Sequence, residues 1–114
     1  MIRLKIKPMS VNELYRGRRY ATDALLDYQK DVGLLLPDKG ALRSILGQWK
    51  QIEAHYTFGT SRAKDIDGSI KAFQDILSRV YGFNDNRVYR LVVEKVPVKP
   101  GQEFIEFELL PYAV

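Results

Sequence analysis

Between Ile66 and Val80 the residues Ile66, Ile70, Phe73, Leu77 and Val80 recur at steps of four, three, four and three. That rhythm predicts a helix of about four turns with a single apolar side. Segments of period two surround it. Ile52, Ala54, Tyr56 and Phe58 alternate with Gln51, Glu53, His55 and Thr57. Tyr89, Leu91 and Val93 alternate further on, as do Ile105, Phe107 and Leu109 around Glu106 and Glu108. At the start, Ile2, Leu4 and Ile6 alternate with Arg3, Lys5 and Lys7 before Pro8. Each such strand has one apolar face. A one-sided helix among one-sided strands hides its apolar surface by lying on the sheet the strands form.

The remaining segments fit that plan. Thr22 can cap a helix beginning at Asp23, whose charge suits a helix N-terminus. Leu25, Tyr28, Val32 and Leu35 follow at helical spacing, and Pro37 ends the run. Asp38 to Leu46 reads as a second short helix stopped by Gly47. Residues 8–21 and 59–64 read as loops, and Gly82 closes the long helix. Pro100-Gly101 signals a turn, because Pro presets its first central position and Gly accepts the second. The last two strands are expected to pair around it. The order is β-α-(α)-β-α-β-β. We expect an α/β (mixed α+β) fold over residues 1–114, a single mixed sheet with helices packed on it.

Composition removes whole classes of chemistry. The chain has no cysteine and a single histidine, His55. Thiolate nucleophiles, disulfides and zinc sites built on sulfur are excluded, and His-based triads nearly so. Lack of disulfides points to a reducing, cytoplasmic setting. No apolar run nears the ~18 residues of a membrane span, and the N-terminus lacks the apolar stretch of a signal peptide. Lys plus Arg number 18 and Asp plus Glu 14, a net charge of +4. An anionic partner is favoured. The basic residues are concentrated: Arg16, Arg18 and Arg19 fall within four positions, beside Tyr15 and Tyr20. Arginines fork onto phosphate oxygens, and tyrosines hydrogen-bond phosphate or stack on bases. Such a segment also reads as a solvated loop whose tyrosines pack on the core.

The chemistry-bearing segment is Lys64-Asp65-Ile66-Asp67-Gly68-Ser69-Ile70-Lys71. In extended backbone, Asp65 and Asp67 project to one side. Lys71 lies one helical turn beyond Asp67, and Asp75 one turn beyond Lys71. A third acid, Asp85, follows the helix in Gly82-Phe83-Asn84-Asp85-Asn86. Three carboxylates at one place would raise one another's pKa, and a hard divalent cation would relieve the repulsion. Such an ion polarises a phosphoryl group and generates a hydroxide nucleophile, while Lys71 neutralises developing charge. Arg62 and Lys64 put positive charge beside Asp65. The plainer reading makes Asp67 a helix N-cap, Asp65 a solvated acid and Asp85 part of an Asx-turn. It makes Lys71 and Asp75 an i,i+4 pair worth about 0.3 kcal/mol. His55 reads as solvent-facing or hydrogen-bonded, Trp49 as core or interface, and Phe104, Ile105 and Phe107 as core.

Taken in order, these pieces resemble the RusA family of Holliday-junction resolvases. Lys7-Pro8-Met9-Ser10-Val11-Asn12-Glu13-Leu14-Tyr15-Arg16 resembles that family's opening after the first strand. The run from Lys64 through Asp65, Asp67, Lys71, Asp75 and Leu77 resembles its basic D-[LI]-D-N-x-x-K-[AP]-x-x-D-x-L signature. Gly82-Phe83-Asn84-Asp85-Asn86-Arg87-Val88 resembles its G-[VF]…D-D-x-x-[VI]. The resemblance spans most of the chain. It departs where Gly68 replaces Asn and where Asn84 replaces the first Asp of the later pair.

The resemblance implies metal-binding catalytic carboxylates at Asp65, Asp67 and Asp85, and a catalytic lysine at Lys71. It implies Mg²⁺, with Mn²⁺ able to substitute, and a homodimer making paired nicks in a four-way DNA junction. A twofold junction has two equivalent scissile phosphates, which one subunit with one centre cannot both cut; a C2 dimer can. Asn12, Tyr15, Arg16, Arg18, Arg19, Arg62 and Lys64 are the expected DNA contacts. The other functions compatible with the sequence are a metal nuclease on other branched or duplex DNA and a non-catalytic nucleic-acid-binding module.

Overall fold

The computed structural model describes residues 1–11, 23–62 and 65–112. Its strands are β1 (Ile2–Leu4), β2 (Ile52–Thr60), β3 (Val88–Pro97) and β4 (Phe104–Pro111). Its helices are α1 (Asp23–Leu35), α2 (Lys39–Gly47) and α3 (Ile66–Tyr81), and a 3-10 turn spans Asp85–Arg87. The strands form one mixed sheet in the order β1-β4-β2-β3. β4 runs antiparallel to both β1 and β2, whereas β3 runs parallel to β2. The expected α+β architecture is therefore present.

Alternation sets the faces of the sheet. Ile52, Ala54, Tyr56 and Phe58 of β2 are buried, together with Ile105 and Phe107 of β4 and Leu4 of β1. α3 lies over this face through Phe73. Its ring meets Tyr56 edge-on at 5.5 Å, Phe58 at 6.1 Å and Phe107 at 5.6 Å between centroids. Such edge-to-face pairs add to the stabilisation from burial alone. The Tyr81 hydroxyl donates to the Pro37 carbonyl at 2.8 Å, tying the end of α3 to the link between α1 and α2. The Arg43 guanidinium donates to the Val80 carbonyl at 2.8 Å and covers the same helix end. Gly82 closes α3 at φ 69°, a left-handed conformation that favours glycine.

The opposite face is polar and cross-linked. Arg3 pairs with Glu106 at 3.0 Å, and Glu53 accepts from Arg90 at 3.2 Å. His55 shares a 2.6 Å hydrogen bond with Glu53, as a hydrogen-bonded histidine should. That bond is the largest cause holding the Glu53 carboxyl below its usual range. Phe104 is buried as expected, but on this face of the sheet and outside the main core cluster. Its ring covers Gly59, where a Cβ would come within 2.3 Å of the ring, and Arg3 stacks on it at 3.9 Å.

Three expectations change. The last two strands do not pair with each other, because β2 lies between β3 and β4. The Lys99–Gln102 turn, closed by a 3.0 Å bond and bent at Gly101 with φ 89°, carries the chain past the end of β2. Second, α1 buries Leu25, Tyr28 and Val32, but Leu35 is exposed and Leu36 is buried in its place. Third, α3 is rotated from the predicted stripe. Ser69, Ala72, Phe73, Ile76, Leu77 and Tyr81 are buried, while Ile66 is exposed. No helix among the described residues is long and apolar enough to cross a membrane.

Phe73→Ala should cost about 3–5 kcal/mol, because it empties the contact among three rings. Urea unfolding followed by circular dichroism measures this; a loss below 1 kcal/mol would show that α3 is held by something else.

Candidate functional site

The rotation of α3 decides which polar residues share a flank. Helical spacing lines up Asp67, Lys71, Gln74, Asp75 and Ser78 beside the buried side. Under this flank stands Tyr56 of β2, whose hydroxyl donates to Gln74 Oε1 at 2.8 Å. The turn after α3 brings Asp85 to the same place.

Asp85 is the electrostatic centre of the group. Its Oδ1 is sealed from solvent and has no hydrogen-bond partner among the described residues. Burial first, and then the Asp75 charge, push its carboxyl above the ordinary range; Lys71 and the Ser78 hydroxyl pull the other way. The effect is mutual with its neighbour: the Tyr56 hydroxyl is raised by burial and further by the Asp85 charge. Lys71 Nζ donates to Asp75 Oδ1 at 3.4 Å, and both side chains keep substantial exposure. The i,i+4 pair read from the sequence is therefore formed, and it also forms one wall of the Asp85 site.

The turn itself explains one sequence departure. Asn84 Oδ1 accepts from the Asn86 N–H at 3.0 Å and caps the 3-10 turn. The Asx role open to Asp85 belongs to Asn84, leaving the Asp85 carboxylate free of backbone duties. Arg87 donates to the Leu46 and Trp49 carbonyls and anchors the turn to the end of α2. Trp49 is half-buried against the core.

Asp65 and Asp67 stand at the other end of the flank. Asp65 caps α3 in extended backbone without a side-chain capping bond, so the N-cap is Asp65 and not Asp67. Asp67 lies in the first turn, where its Oδ1 accepts from the Gly68 N–H at 3.0 Å. Both acids are exposed. Along the helix axis Asp67 is roughly 12 Å from Asp75, at 1.5 Å of rise per residue. The charges that act on Asp85 are accordingly Asp75 and Lys71. Among the described residues no three His, Asp or Glu side chains form a group that could hold a metal ion.

Gly68 has a packing role. A Cβ there would approach the Ser10 Cβ to 3.0 Å, because the buried Ser10 presses on the start of α3. The N-terminal segment and the acid-bearing helix start are thus in contact. Of the expected DNA contacts, Arg62 is described. It is exposed on the loop after β2, where its carbonyl accepts from the Thr60 hydroxyl at 2.9 Å. Ser61 fixes the same loop by donating to Glu103 at 2.7 Å. Asn12, Tyr15, Arg16, Arg18, Arg19 and Lys64 lie outside the described residues. Tyr56, Gln74 and Ser78 were missed by sequence reasoning. Tyr56 reads there as a plain core position, and only the packed helix reveals what its hydroxyl meets. No known family's sequence model matches the chain, and no curated protein matches it.

Two outcomes are expected. The fold raises the Asp85 carboxyl above its ordinary range, so the stability it contributes is full below its ordinary carboxyl pKa and is lost as pH rises through the raised folded value. Asp85→Asn should therefore raise the melting temperature at neutral pH, with the gain vanishing in acid. Melting curves of both proteins across pH test this; a gap independent of pH would contradict it. Gly68→Asn should destabilise by about 1–3 kcal/mol through overpacking against Ser10. Denaturant titration reads that loss, and an unchanged midpoint would show that Ser10 yields.

Proposed function

We propose that this protein is a Mg²⁺-dependent endodeoxyribonuclease acting on branched DNA, with four-way junctions as its substrate. The observation that carries the reading is Asp85. A carboxylate oxygen buried without a partner, beside a second acid and a lysine, is a costly arrangement for a structural surface. It is the arrangement a functional site tolerates.

The residues fit a divalent cation of modest demands. Mg²⁺ needs only one or two carboxylates, the rest of its shell coming from water and substrate phosphate. Asp85 and Asp75 would hold it, and Asp67 and Asp65 extend the acidic flank toward the helix start. When bound, the ion supplies a polarised phosphoryl oxygen and an activated water. Lys71 is exposed enough to leave Asp75 and place its ammonium against the phosphate. Gln74 and Tyr56 hold the floor of the site, since their mutual hydrogen bond fixes both side chains. The resemblance of the acid-lysine segment to RusA resolvases and the +4 charge both support a DNA substrate.

The test is cleavage of end-labelled four-way junctions, flaps and linear duplex at equal salt, with Mg²⁺ or Mn²⁺. Paired nicks in the junction are expected. Asp85→Asn, Asp75→Asn and Lys71→Ala should each cut at least about 10²-fold more slowly while binding the junction normally. Junction binding with no cleavage of any DNA under either ion would overturn the enzyme and leave a binding module. Cleavage confined to flaps or duplex would overturn the substrate.

A further inference from the structure

Among the described residues one long strand edge is left open. β3 has ten residues and pairs with β2 on one side; among the described residues no strand pairs with its other side. It is also the strand with the most exposed apolar surface. Tyr89 is 59% exposed, Leu91 42% and Val92 46%. An edge of that length and character is a template for another strand.

We propose that the occupant is the β3 strand of a second copy of this chain, paired antiparallel about a twofold axis through Val92. The argument is charge complementarity. In that register, residues equally displaced from Val92 face each other across the axis. Arg90 of each copy then stands opposite Glu94 of the other, so two opposite-charge pairs form on one face of the ladder. Leu91 stands opposite Val93, twice, on the other face. Directly opposed side chains are the unit of sheet stabilisation.

Neighbouring registers fail. Moving the axis to lie between Val92 and Val93 sets each residue opposite one that points to the other face of the sheet, which an antiparallel ladder does not allow. Moving it to Val93 sets Glu94 against Val92, and moving it to Leu91 sets Arg90 against Val92. Arg90 already accommodates one carboxylate, Glu53 at 3.2 Å, and its guanidinium has donors left for a second. The irregular pairing between Ile52 and Glu53 falls at the start of β3, so the strand is regular from Arg90 onward.

The result is one continuous sheet of eight strands. Because the axis is normal to the sheet, both copies keep their helices on the same side, with both Asp85 sites on that side as well. The pairing stands on the edge strand and is independent of any nuclease activity.

Sedimentation equilibrium of the full chain tests it. A mass of twice 13.2 kDa is expected. Glu94→Arg sets arginine against arginine twice and should raise the dimer dissociation constant at least about tenfold. The double exchange Arg90→Glu with Glu94→Arg should restore association, which a nonspecific loss of folding would not do. Circular dichroism confirms that each variant is folded. A wild-type monomer at every concentration, or a dimer indifferent to Glu94→Arg, would overturn the proposal.

Discussion

The contact between Phe73 and three aromatic rings of the sheet holds the rest of the arrangement in place. Phe73 meets Tyr56, Phe58 and Phe107 at once, so it fixes both the position of α3 and its rotation about its own axis. Ala72 and Ser69 are buried with it on the same helix. Once that rotation is set, Lys71, Gln74, Asp75 and Ser78 have no freedom to choose their neighbours. Gln74 meets the Tyr56 hydroxyl, and Asp75 stands where the returning chain delivers Asp85.

The chemistry of the site follows from where charge is left unsatisfied. The described backbone ends near it have partners: Arg43 covers the end of α3, Asn84 caps the turn, and Arg87 ties that turn to α2. These contacts anchor the turn that carries Asp85, and among the described residues none satisfies its Oδ1. A carboxylate whose charge is disfavoured by burial and by Asp75 is a costly residue to keep at a surface. The opposite face of the sheet shows the contrast. There, Glu53 and Glu106 are each paired with a neighbouring base and leave nothing over for chemistry.

Much of the site was legible as residue type and not as geometry. Asp85, Lys71 and Asp75 stand out because charged residues flank an apolar stripe at one-turn intervals. Their grouping was expected around Asp65 and Asp67, yet Asp85 senses Asp75. A sequence pattern marks a helix flank but does not say which turn of it the following loop will reach. Leu35 and Ile66 show the same limit: both match the helical period, and both are exposed.

The sequence by itself determined the elements and the fold class, since period-two and period-3.6 burial are local consequences of which residues can face water. It also determined the excluded chemistries, through the absence of cysteine and the single histidine. Tertiary structure alone decided the strand order, with β2 between β3 and β4, and the long edge that this order leaves open among the described residues. It alone decided that Gly68 makes room for Ser10 and that Tyr56 underlies the acids. These are contacts between segments distant along the chain, and they depend on how large side chains interlock once both faces meet, which no periodicity encodes.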